Sequence, residues 1–266
     1  MGGGALSEAK EDGKRKEREK EFHNKTFSLD GGRTEGSRFY TVTEPSSDAF
    51  EAEILRRAAG RTVLEYGCGP GTHSFRLAKV AKRVIGIDIS EVAIERARRR
   101  AVDRGVDNVE FHVMDAESLT FPDATFDLVC GRAIVHHLDV RRCFSTISRV
   151  LRPEGVALFQ EPLGHNPLIN LYRNFTPQLR TVDEHPLLKR DLEVARSYFE
   201  RVEMRPFVML SLMAVPFNNT PLFKPLLRFL TAVDSVLFAL PPLRLMAWTS
   251  IWILENPTRR AETADR

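Results

Sequence analysis

The chain has 266 residues, of which 42% are hydrophobic and 28% are charged. This composition is typical of a globular protein and excludes a collagen-like or largely disordered chain. With 39 basic and 36 acidic residues, the formal net charge of +3 is too balanced to indicate a nucleic acid or an anionic membrane as the partner.

The three cysteines, Cys68, Cys130 and Cys143, lie far apart and form no CxxC pair. Neither a disulfide framework nor a cysteine-rich zinc site is therefore predicted, and a cytoplasmic location is expected. The longest uncharged run, residues 206–223, contains three prolines. Because proline disfavours a spanning helix, no transmembrane segment is predicted.

Residues 1–38 are expected to form a charged, flexible tail. Within it, residues 7–25 mix charges of both signs and have almost no apolar positions, which indicates either a solvated helix or disorder. The folded domain is expected to cover residues 39–258, and residues 259–266 are expected to form a second tail.

Strands and helices are predicted to alternate along the first part of the domain. A helix capped near Ser47 ends before Gly60. Strands are predicted at 61–66, 83–88, 109–114, 126–131 and 155–160, and helices at 72–81, 90–105 and 143–151. This alternation predicts an α/β fold, a doubly wound and mostly parallel sheet with helices on both faces.

A further helix at 191–199 and two last strands at 201–207 and 247–254 complete a predicted seven-stranded sheet. Between those two strands, an apolar helical insertion is expected at about 208–245. Within it, Lys224, Arg228, Thr231 and Ser235 recur every three or four positions, which predicts a narrow polar stripe on a largely apolar helix over 222–240. Such a helix is expected to bury nearly all of its surface, as a lid over an apolar substrate, on a membrane or a partner subunit, or as a core helix.

The stretch VLEYGCGPGTHS, residues 63–74, places glycines directly behind a predicted strand. Glycines between a strand and a helix leave backbone N–H groups accessible, as a nucleotide-type ligand requires. The spacing of Gly67, Gly69 and Gly71 is GxGxG, and Thr72 stands where a dinucleotide fingerprint has its third glycine. The carboxylate of Glu65 beside them favours a ligand with positive charge.

Two further acids follow the next predicted strands. Asp88 ends the second strand, where a carboxylate can accept hydrogen bonds from the hydroxyls of a ribose. Asp115 ends the third strand, where it could accept a hydrogen bond from an adenine amino group while the backbone of Ala116 serves the ring. Together these positions predict an adenosine site.

Four motifs resemble those of the class I S-adenosylmethionine-dependent methyltransferases, specifically the small-molecule group typified by ubiquinone and menaquinone methyltransferases. They are VLEYGCGPG, VIGIDIS, VMDAESLTFPDATFDLVCGRAIVHHL and LRPEGVALFQEP, in this order between residues 61 and 162. The resemblance implies a Rossmann-like fold and S-adenosylmethionine as the cofactor. The cofactor-binding residues that it implies are Glu65, Gly67, Cys68 (through its backbone), Gly69, Gly71, Asp88, Ile89, Asp115, Ala116 and, near the methyl-donor end, Arg132.

The candidate catalytic residues follow the fourth and fifth predicted strands. A base would help to remove a proton from a phenol, enol or hydroxyl acceptor, and His137, one of the neighbouring pair 136–137, is favoured for this task. Glu161 and His165 follow the fifth strand and are candidates for contact with the acceptor. No metal is expected, because Glu184, His185 and His165 match no known ligand spacing.

The sequence therefore predicts methyl transfer from S-adenosylmethionine to the oxygen or carbon of a small, rather hydrophobic acceptor, by direct in-line displacement. Peripheral membrane binding or self-association through the 222–240 helix stays open. Nucleic acid is not expected as a partner, because ERARRRAVDR is the one dense basic cluster of the domain. The alternatives are a nucleic-acid methyltransferase and a scaffold that binds the cofactor without transferring its methyl group.

Overall fold

The computed structural model describes residues 3–28, 40–176, 181 and 183–258. Its centre is a seven-stranded sheet with the strand order β3-β2-β1-β4-β5-β7-β6. The strands are β1 (Thr62–Tyr66), β2 (Arg83–Asp88), β3 (Val109–Val113), β4 (Phe126–Arg132), β5 (Leu151–Pro162), β6 (Phe199–Phe207) and β7 (Thr249–Pro257).

The helices are α1 (Gly3–Ser28), α2 (Glu44–Ala58), α3 (Ser74–Leu77), α4 (Glu91–Arg104), α5 (Val140–Val150), α6 (Pro167–Phe175), α7 (Lys189–Arg196), α8 (Phe223–Leu237) and α9 (Pro241–Arg244). Turns of 3₁₀-helix cover Thr41–Thr43, Val135–His137 and Leu210–Phe217. Among the described residues, no helix is both long enough and apolar enough to cross a membrane.

The first five strands are parallel, and only β7 runs antiparallel to its neighbours β5 and β6. Strand β1 lies between β2 and β4, with Leu64 opposite both Ile85 and Val129. The chain thus winds outward from β1 in both directions. This confirms the predicted mostly parallel, Rossmann-like sheet, and it opens a crevice beyond the carboxyl ends of β1 and β4.

Apolar side chains fill both faces of the sheet. Leu64 belongs to a cluster that includes Phe144 of α5, and its neighbour Val63 belongs to a second cluster with Phe50 of α2 and Ile94 of α4. Because successive strand residues point to opposite faces, the near-continuous apolar strands are buried by helices on both sides.

Helix boundaries follow local chemistry where capping residues are present. Ser90 caps α4 by accepting a hydrogen bond from Ala93 N, and α4 ends at Gly105 in the left-handed conformation. The predicted cap at Ser47 is wrong, because α2 already begins at Glu44 with a proline in its first turn.

The N-terminal segment differs from the expected flexible tail. Residues 3–28 form the helix α1, and polar contacts attach it to the domain, where Lys20 pairs with Glu91 at 2.8 Å and Ser90 Oγ donates to Asn24 Oδ1 at 2.7 Å. Helix α1 has no apolar stripe, so hydrophobic periodicity could not reveal this docking. The other parts of the expected tails, residues 29–38 and 259–266, lie outside the described residues, as do residues 1 and 2.

The segment between β6 and β7 contains a 3₁₀-helix followed by α8 and α9. The expectation that this helix buries nearly all of its surface is wrong. In α8 the side chains of Phe229 and Val236 are 64% and 73% exposed. Its inner face packs Phe223 and Leu227 into a small cluster with Trp248.

A buried carboxylate joins α8 to the preceding 3₁₀-helix. Asp234 accepts hydrogen bonds from the backbone N–H groups of Met209, Leu210 and Ser211 at 2.7–3.1 Å, and from Ser211 Oγ at 2.7 Å. These bonds satisfy the free N–H groups at the start of the 3₁₀-helix.

Replacing Asp234 by alanine is expected to lower the free energy of unfolding by about 2–3 kcal/mol, because buried N–H groups lose a charged acceptor. Urea unfolding followed by circular dichroism measures this. Ser235→Ala is the matched control on the exposed side of α8, where a change within about 0.5 kcal/mol is expected. Equal stabilities of the two variants would contradict the assigned role of Asp234.

Candidate functional site

A cavity of about 1010 Å³ lies at the carboxyl edge of the sheet. Its floor comes from the ends of parallel strands and the turns that follow them. The predicted site residues that line it are Gly67, Asp88, Ile89, Asp115, Ala116, Arg132, His137 and Glu161. Five strand ends thus bring together residues that span almost a hundred positions of the sequence.

The turn after β1 needs glycine at specific positions. Gly67 and Gly71 have φ angles of 61° and 77°, in the left-handed region that glycine adopts without strain. A Cβ at Gly71 would lie 2.8 Å from the ring of Phe111, so a side chain there would also displace the core. The bare turn leaves Gly67 at the cavity wall.

Glu65 lies beneath this turn. Its side chain accepts a hydrogen bond from Ser74 Oγ, is 5% exposed, and is not among the groups that line the cavity. Burial raises the pKa of Glu65 to about 7, and the nearby Asp88 adds to that rise. In the structure Glu65 holds α3 to β1, and its expected contact with a cationic ligand stays a prediction.

Three other predicted cofactor residues also lie away from the cavity wall. Cys68 is buried, and its N–H donates to Ile87 O. Gly69 and Gly71 belong to the turn but do not line the cavity. The ring of Phe27 from α1 covers Gly69, 3.2 Å from where its Cβ would lie.

Asp88 anchors the turn from the end of β2. Its two carboxylate oxygens accept hydrogen bonds from Gly69 N at 2.9 Å and Ser90 N at 2.8 Å. Burial raises the pKa of Asp88, and these hydrogen bonds oppose the rise. The carboxylate is therefore held in place with unused acceptor capacity toward the cavity.

Helix α1 forms the opposite wall. Lys16 Nζ lies 2.8 Å from Asp115, and Arg15 donates to Glu117 at 2.6 Å and to the carbonyl oxygen of His137 at 2.8 Å. Hydrophobic periodicity does not predict this wall. The residues of α1 that contact the domain recur every three or four positions, but polar residues at helical spacing are also common on solvated helices, so this repeat alone does not indicate docking.

A buried acid holds the turn after β4. Glu161 is 1% exposed and accepts hydrogen bonds from Ile134 N and Val135 N, both at 2.9 Å. Its other oxygen lies 2.7 Å from His136 Nδ1. Before this turn, Ala133 has a φ of 53°, a strained conformation for a residue with a side chain.

Burial shifts both partners of this pair toward their neutral forms. It raises the pKa of Glu161 to about 7, although the backbone N–H groups oppose the rise, and it lowers the pKa of His136 well below the usual range. Both His136 and His137 line the cavity, and of this pair the sequence favoured His137 as the base. Chain order alone could not tell which imidazole meets Glu161.

Among the candidate catalytic residues, His165 lies apart. Its Nε2 accepts a hydrogen bond from Lys189 N at 3.0 Å, next to the start of α7, and it does not line the cavity. The acceptor role expected for His165 is therefore not supported by its position.

Aromatic side chains form the end of the cavity beyond β4 and β5. The rings of Tyr40 and Trp248 lie 5.5 Å apart, centre to centre, and Ile169 and Tyr172 of α6 lie nearby in the wall. Phe39, which precedes Tyr40 in the chain, lies outside the described residues. None of the described residues 208–245 lines the cavity, so the insertion supports this wall from behind, through the cluster that contains Trp248 and Ile169.

Comparisons with known proteins agree with this geometry. A family model described as a methyltransferase domain matches residues 58–195, just over half of the chain. An uncharacterized methyltransferase, YcgJ of Bacillus subtilis, is 33% identical over 124 residues, which are 46% of this chain and 49% of that protein. A 27-O-demethylrifamycin SV methyltransferase of Amycolatopsis mediterranei is 41% identical over 107 residues, 39% of each chain.

A solved structure of phosphoethanolamine N-methyltransferase 2 from Haemonchus contortus, in complex with S-adenosyl-L-methionine, shares the fold with a TM-score of 0.58. It is 18% identical and covers 83% of this chain and 56% of its own. This chain spans about half or less of the length of the two relatives in sequence. The resemblance noted in the sequence is confirmed at the level of the family: the chain belongs to the S-adenosylmethionine-dependent methyltransferases through its methyltransferase domain.

Proposed function

We propose that the protein transfers the methyl group of S-adenosylmethionine to an oxygen or carbon of a small, largely apolar acceptor. The observation that carries the proposal is a single cavity with an acidic end, at Asp88 and Asp115, and an aromatic end, at Tyr40 and Trp248. Its volume of about 1010 Å³ is at the upper end of the usual range for small-molecule sites, roughly 300–1,000 Å³, as expected for two ligands side by side.

The acidic end fits the adenosine part of the cofactor. Asp88 is fixed by two backbone N–H groups and can accept hydrogen bonds from ribose hydroxyls, and the backbone of Ala116 stands beside Asp115 for the adenine. Gly67 and Arg132 line the way toward the methionine part. Lys16 contacts Asp115, so adenine binding at that acid exchanges an ion pair for a hydrogen bond.

When bound, S-adenosylmethionine supplies an electrophilic methyl group on a positively charged sulfur. The protein then needs to align the acceptor with that group for in-line displacement and to exclude water. The rings of Tyr40 and Trp248, tilted by 40° to each other, give the acceptor an aromatic wall. The relative that is named for 27-O-demethylrifamycin SV supports a small molecule as the acceptor.

The base is assigned to the pair of His136 and Glu161 rather than to His137. With Glu161 ionised and His136 Nδ1–H donating to it, His136 Nε2, which lies 3.7 Å from Glu184, carries the lone pair that takes the acceptor's proton. Glu161 acts through His136 as a positioning residue, because its own oxygens are occupied by backbone N–H groups and by the imidazole.

The basic cluster of α4 supports a small molecule over nucleic acid. Arg98 donates to Phe111 O, Arg100 donates to Pro70 O, and Arg104 lies over the ring of Phe75. These side chains stabilise the domain itself and do not form a stripe directed at phosphates.

The exposed apolar side chains of α8 support the prediction that this face rests on a membrane surface or on a second copy of the chain. Because α8 does not line the cavity, such an association is separate from the chemistry of methyl transfer.

Asp88→Ala is expected to weaken binding of S-adenosylmethionine by about 1–3 kcal/mol, a factor of roughly 5–150, through loss of a charged acceptor. Isothermal calorimetry measures the affinity for S-adenosylmethionine. Asp103→Ala, at an exposed position, is the control and is expected to leave the affinity unchanged. In parallel, cofactor labelled in its methyl group is mixed with wild-type protein and a panel of phenols and polycyclic enols, or with RNA.

Label in a small acceptor supports the proposal. Label in RNA would replace it with the nucleic-acid function, and tight cofactor binding without any transfer would favour a non-catalytic scaffold. An affinity that Asp88→Ala leaves unchanged would overturn the ribose assignment.

Helix α1 covers the cofactor in this proposal and is attached largely by ion pairs. Arg15→Gln is expected to speed the release of S-adenosylhomocysteine about 5- to 30-fold, because Arg15 pairs with the buried Glu117 and with a carbonyl at the cavity wall. Salt raised from about 50 mM to about 500 mM is expected to speed release from the wild type.

Stopped-flow fluorescence measures the release rate. Arg99→Gln is the control, since Arg99 pairs with Glu95 on the exposed face of α4. Equal release rates for Arg15→Gln and Arg99→Gln would remove the covering role of α1.

The pH dependence of methyl transfer tests the assigned base. Burial raises the pKa of Glu161 to about 7, so the pair becomes competent as pH rises through about 7 and loses activity below it. In Glu161→Gln the side chain has no carboxyl proton to lose near pH 7. Its kcat/KM, measured with the acceptor found in the label assay, is expected to fall about 100-fold and to lack the step near pH 7.

His165→Asn is the control, with the profile expected to keep its step. Retention of the step in Glu161→Gln would assign the titration to another group.

A further inference from the structure

Three side chains from distant parts of the chain converge between α1 and the turn after β4. Glu19 Oε2 lies 3.5 Å from His23 Nε2 and 3.2 Å from His137 Nδ1, and the three ligand atoms lie within 4.8 Å of one another. Glu19 and His23 are four residues apart, so they share one face of the helix. Two imidazoles and one carboxylate thus surround a common point.

The spacing of these atoms matches a tetrahedral metal site. Zinc binds imidazole nitrogen and carboxylate oxygen at about 2.0–2.2 Å, which separates neighbouring ligand atoms by about 3.3–3.5 Å. The two distances from Glu19, 3.2 and 3.5 Å, lie at that separation. A carboxylate with two histidines is also a ligand set that zinc, iron and cobalt accept.

The hydrogen bonding of these groups is the second, independent observation. Glu19 Oε2 and His137 Nδ1 are buried and lie 3.2 Å apart as an ion pair, but neither atom makes a well-aligned hydrogen bond with any of the described residues. The two residues are 5% and 8% exposed, so water does not readily reach the two atoms. Neighbouring ligands of one ion have this arrangement, because both atoms point at the ion rather than at each other.

Surrounding groups orient the cluster. Thr181 Oγ1 donates to Glu19 Oε1, which leaves Oε2 directed at the two histidines. Phe27 stacks on the His23 ring at 6.1 Å, and Arg15 holds the carbonyl oxygen of His137. All three proposed ligands belong to residues that line the cavity.

We propose that Glu19, His23 and His137 bind one divalent transition metal ion, zinc by the chemistry of the ligands, and that this ion fastens α1 over the cavity. The proposal does not depend on the methyl acceptor or on the assignment of the base. The neighbouring group of His136, His137 and Glu184 is less suited. Its His136 Nε2 and Glu184 Oε1 lie 3.7 Å apart, which is wider than the separation of neighbouring ligands in a tetrahedral zinc site.

The test uses the full chain without an affinity tag and without cofactor. Zinc is measured after dialysis by plasma mass spectrometry, and cobalt(II) is titrated as a spectroscopic probe, because tetrahedral cobalt absorbs strongly in the visible range. We expect one ion per wild-type chain and intense visible bands. Glu19→Gln and His23→Asn are expected to weaken zinc binding roughly 100-fold or more.

Two control variants keep the experiment decisive. His112→Asn, on β3 and outside the cluster, is expected to bind like the wild type, and so is Glu184→Gln. Loss of the ion in Glu184→Gln but not in Glu19→Gln would move the site to the other group and overturn the proposal. Should a variant fail to fold by circular dichroism, the wild type decides: a folded chain that takes up neither zinc nor cobalt refutes the site.

Cofactor binding is measured separately by calorimetry. A chain that binds zinc but not S-adenosylmethionine contradicts the proposed function and leaves the metal site intact. A chain that binds S-adenosylmethionine but not zinc contradicts the metal site and leaves the proposed function intact. With metal bound, chelation by EDTA is expected to speed the release of S-adenosylhomocysteine in the wild type but not in His23→Asn.

Discussion

Parallel strands carry their following side chains to one edge of the sheet, and here that edge is crowded with carboxylates. Asp88 ends β2, Asp115 and Glu117 follow β3, and Glu161 lies near the end of β5. A buried carboxylate is costly unless it is paired and hydrogen-bonded. Backbone N–H groups serve Asp88 and Glu161, whereas Glu117 and Asp115 receive Arg15 and Lys16 from α1. This requirement for partners explains why a helix without an apolar stripe docks on the domain.

A cover attached in this way differs from one packed into a hydrophobic core. The contacts of α1 are largely charged or polar, so separation returns each group to water, where it is again well solvated. An apolar cover would expose its buried face each time it opened. A helix held by charge can therefore leave and return at modest cost, as the exchange of a large cofactor requires.

The sequence allowed a good part of the fold to be predicted, because strands and their order along the chain depend on local apolar runs. Gly67 and Gly71 were also readable, since only a turn with positive φ needs glycine so densely. The orientation of the Glu65 side chain was not readable, because an acid at this strand end can face either the ligand or the core. Only its hydrogen bond with Ser74 shows which partner it has in the structure. Local patterns do not encode such long-range polar pairing.

Helix α1 shows the same limit more clearly. The residues between Asp12 and Phe27 that contact the domain are predominantly polar, and their partners are about 40 to 165 positions away in the chain. The composition of α1 therefore predicted a solvated helix. The indication that it docks lay instead in the acids at the sheet edge, which do not have enough hydrogen-bond donors nearby in the chain to satisfy them all.

The two ends of the cavity rest on different kinds of support, so that in the proposed function cofactor binding is separate from acceptor choice. The end proposed to bind adenosine is built on the ends of β1, β2 and β3, whose positions the central core determines. The aromatic end is backed by the small cluster that joins Trp248 and Ile169 to the segment between β6 and β7. Substitutions in that segment can reshape the acceptor wall without disturbing the strands beneath the cofactor. Differences in acceptor between related chains are therefore expected to arise there, while the glycine turn and Asp88 keep the same task.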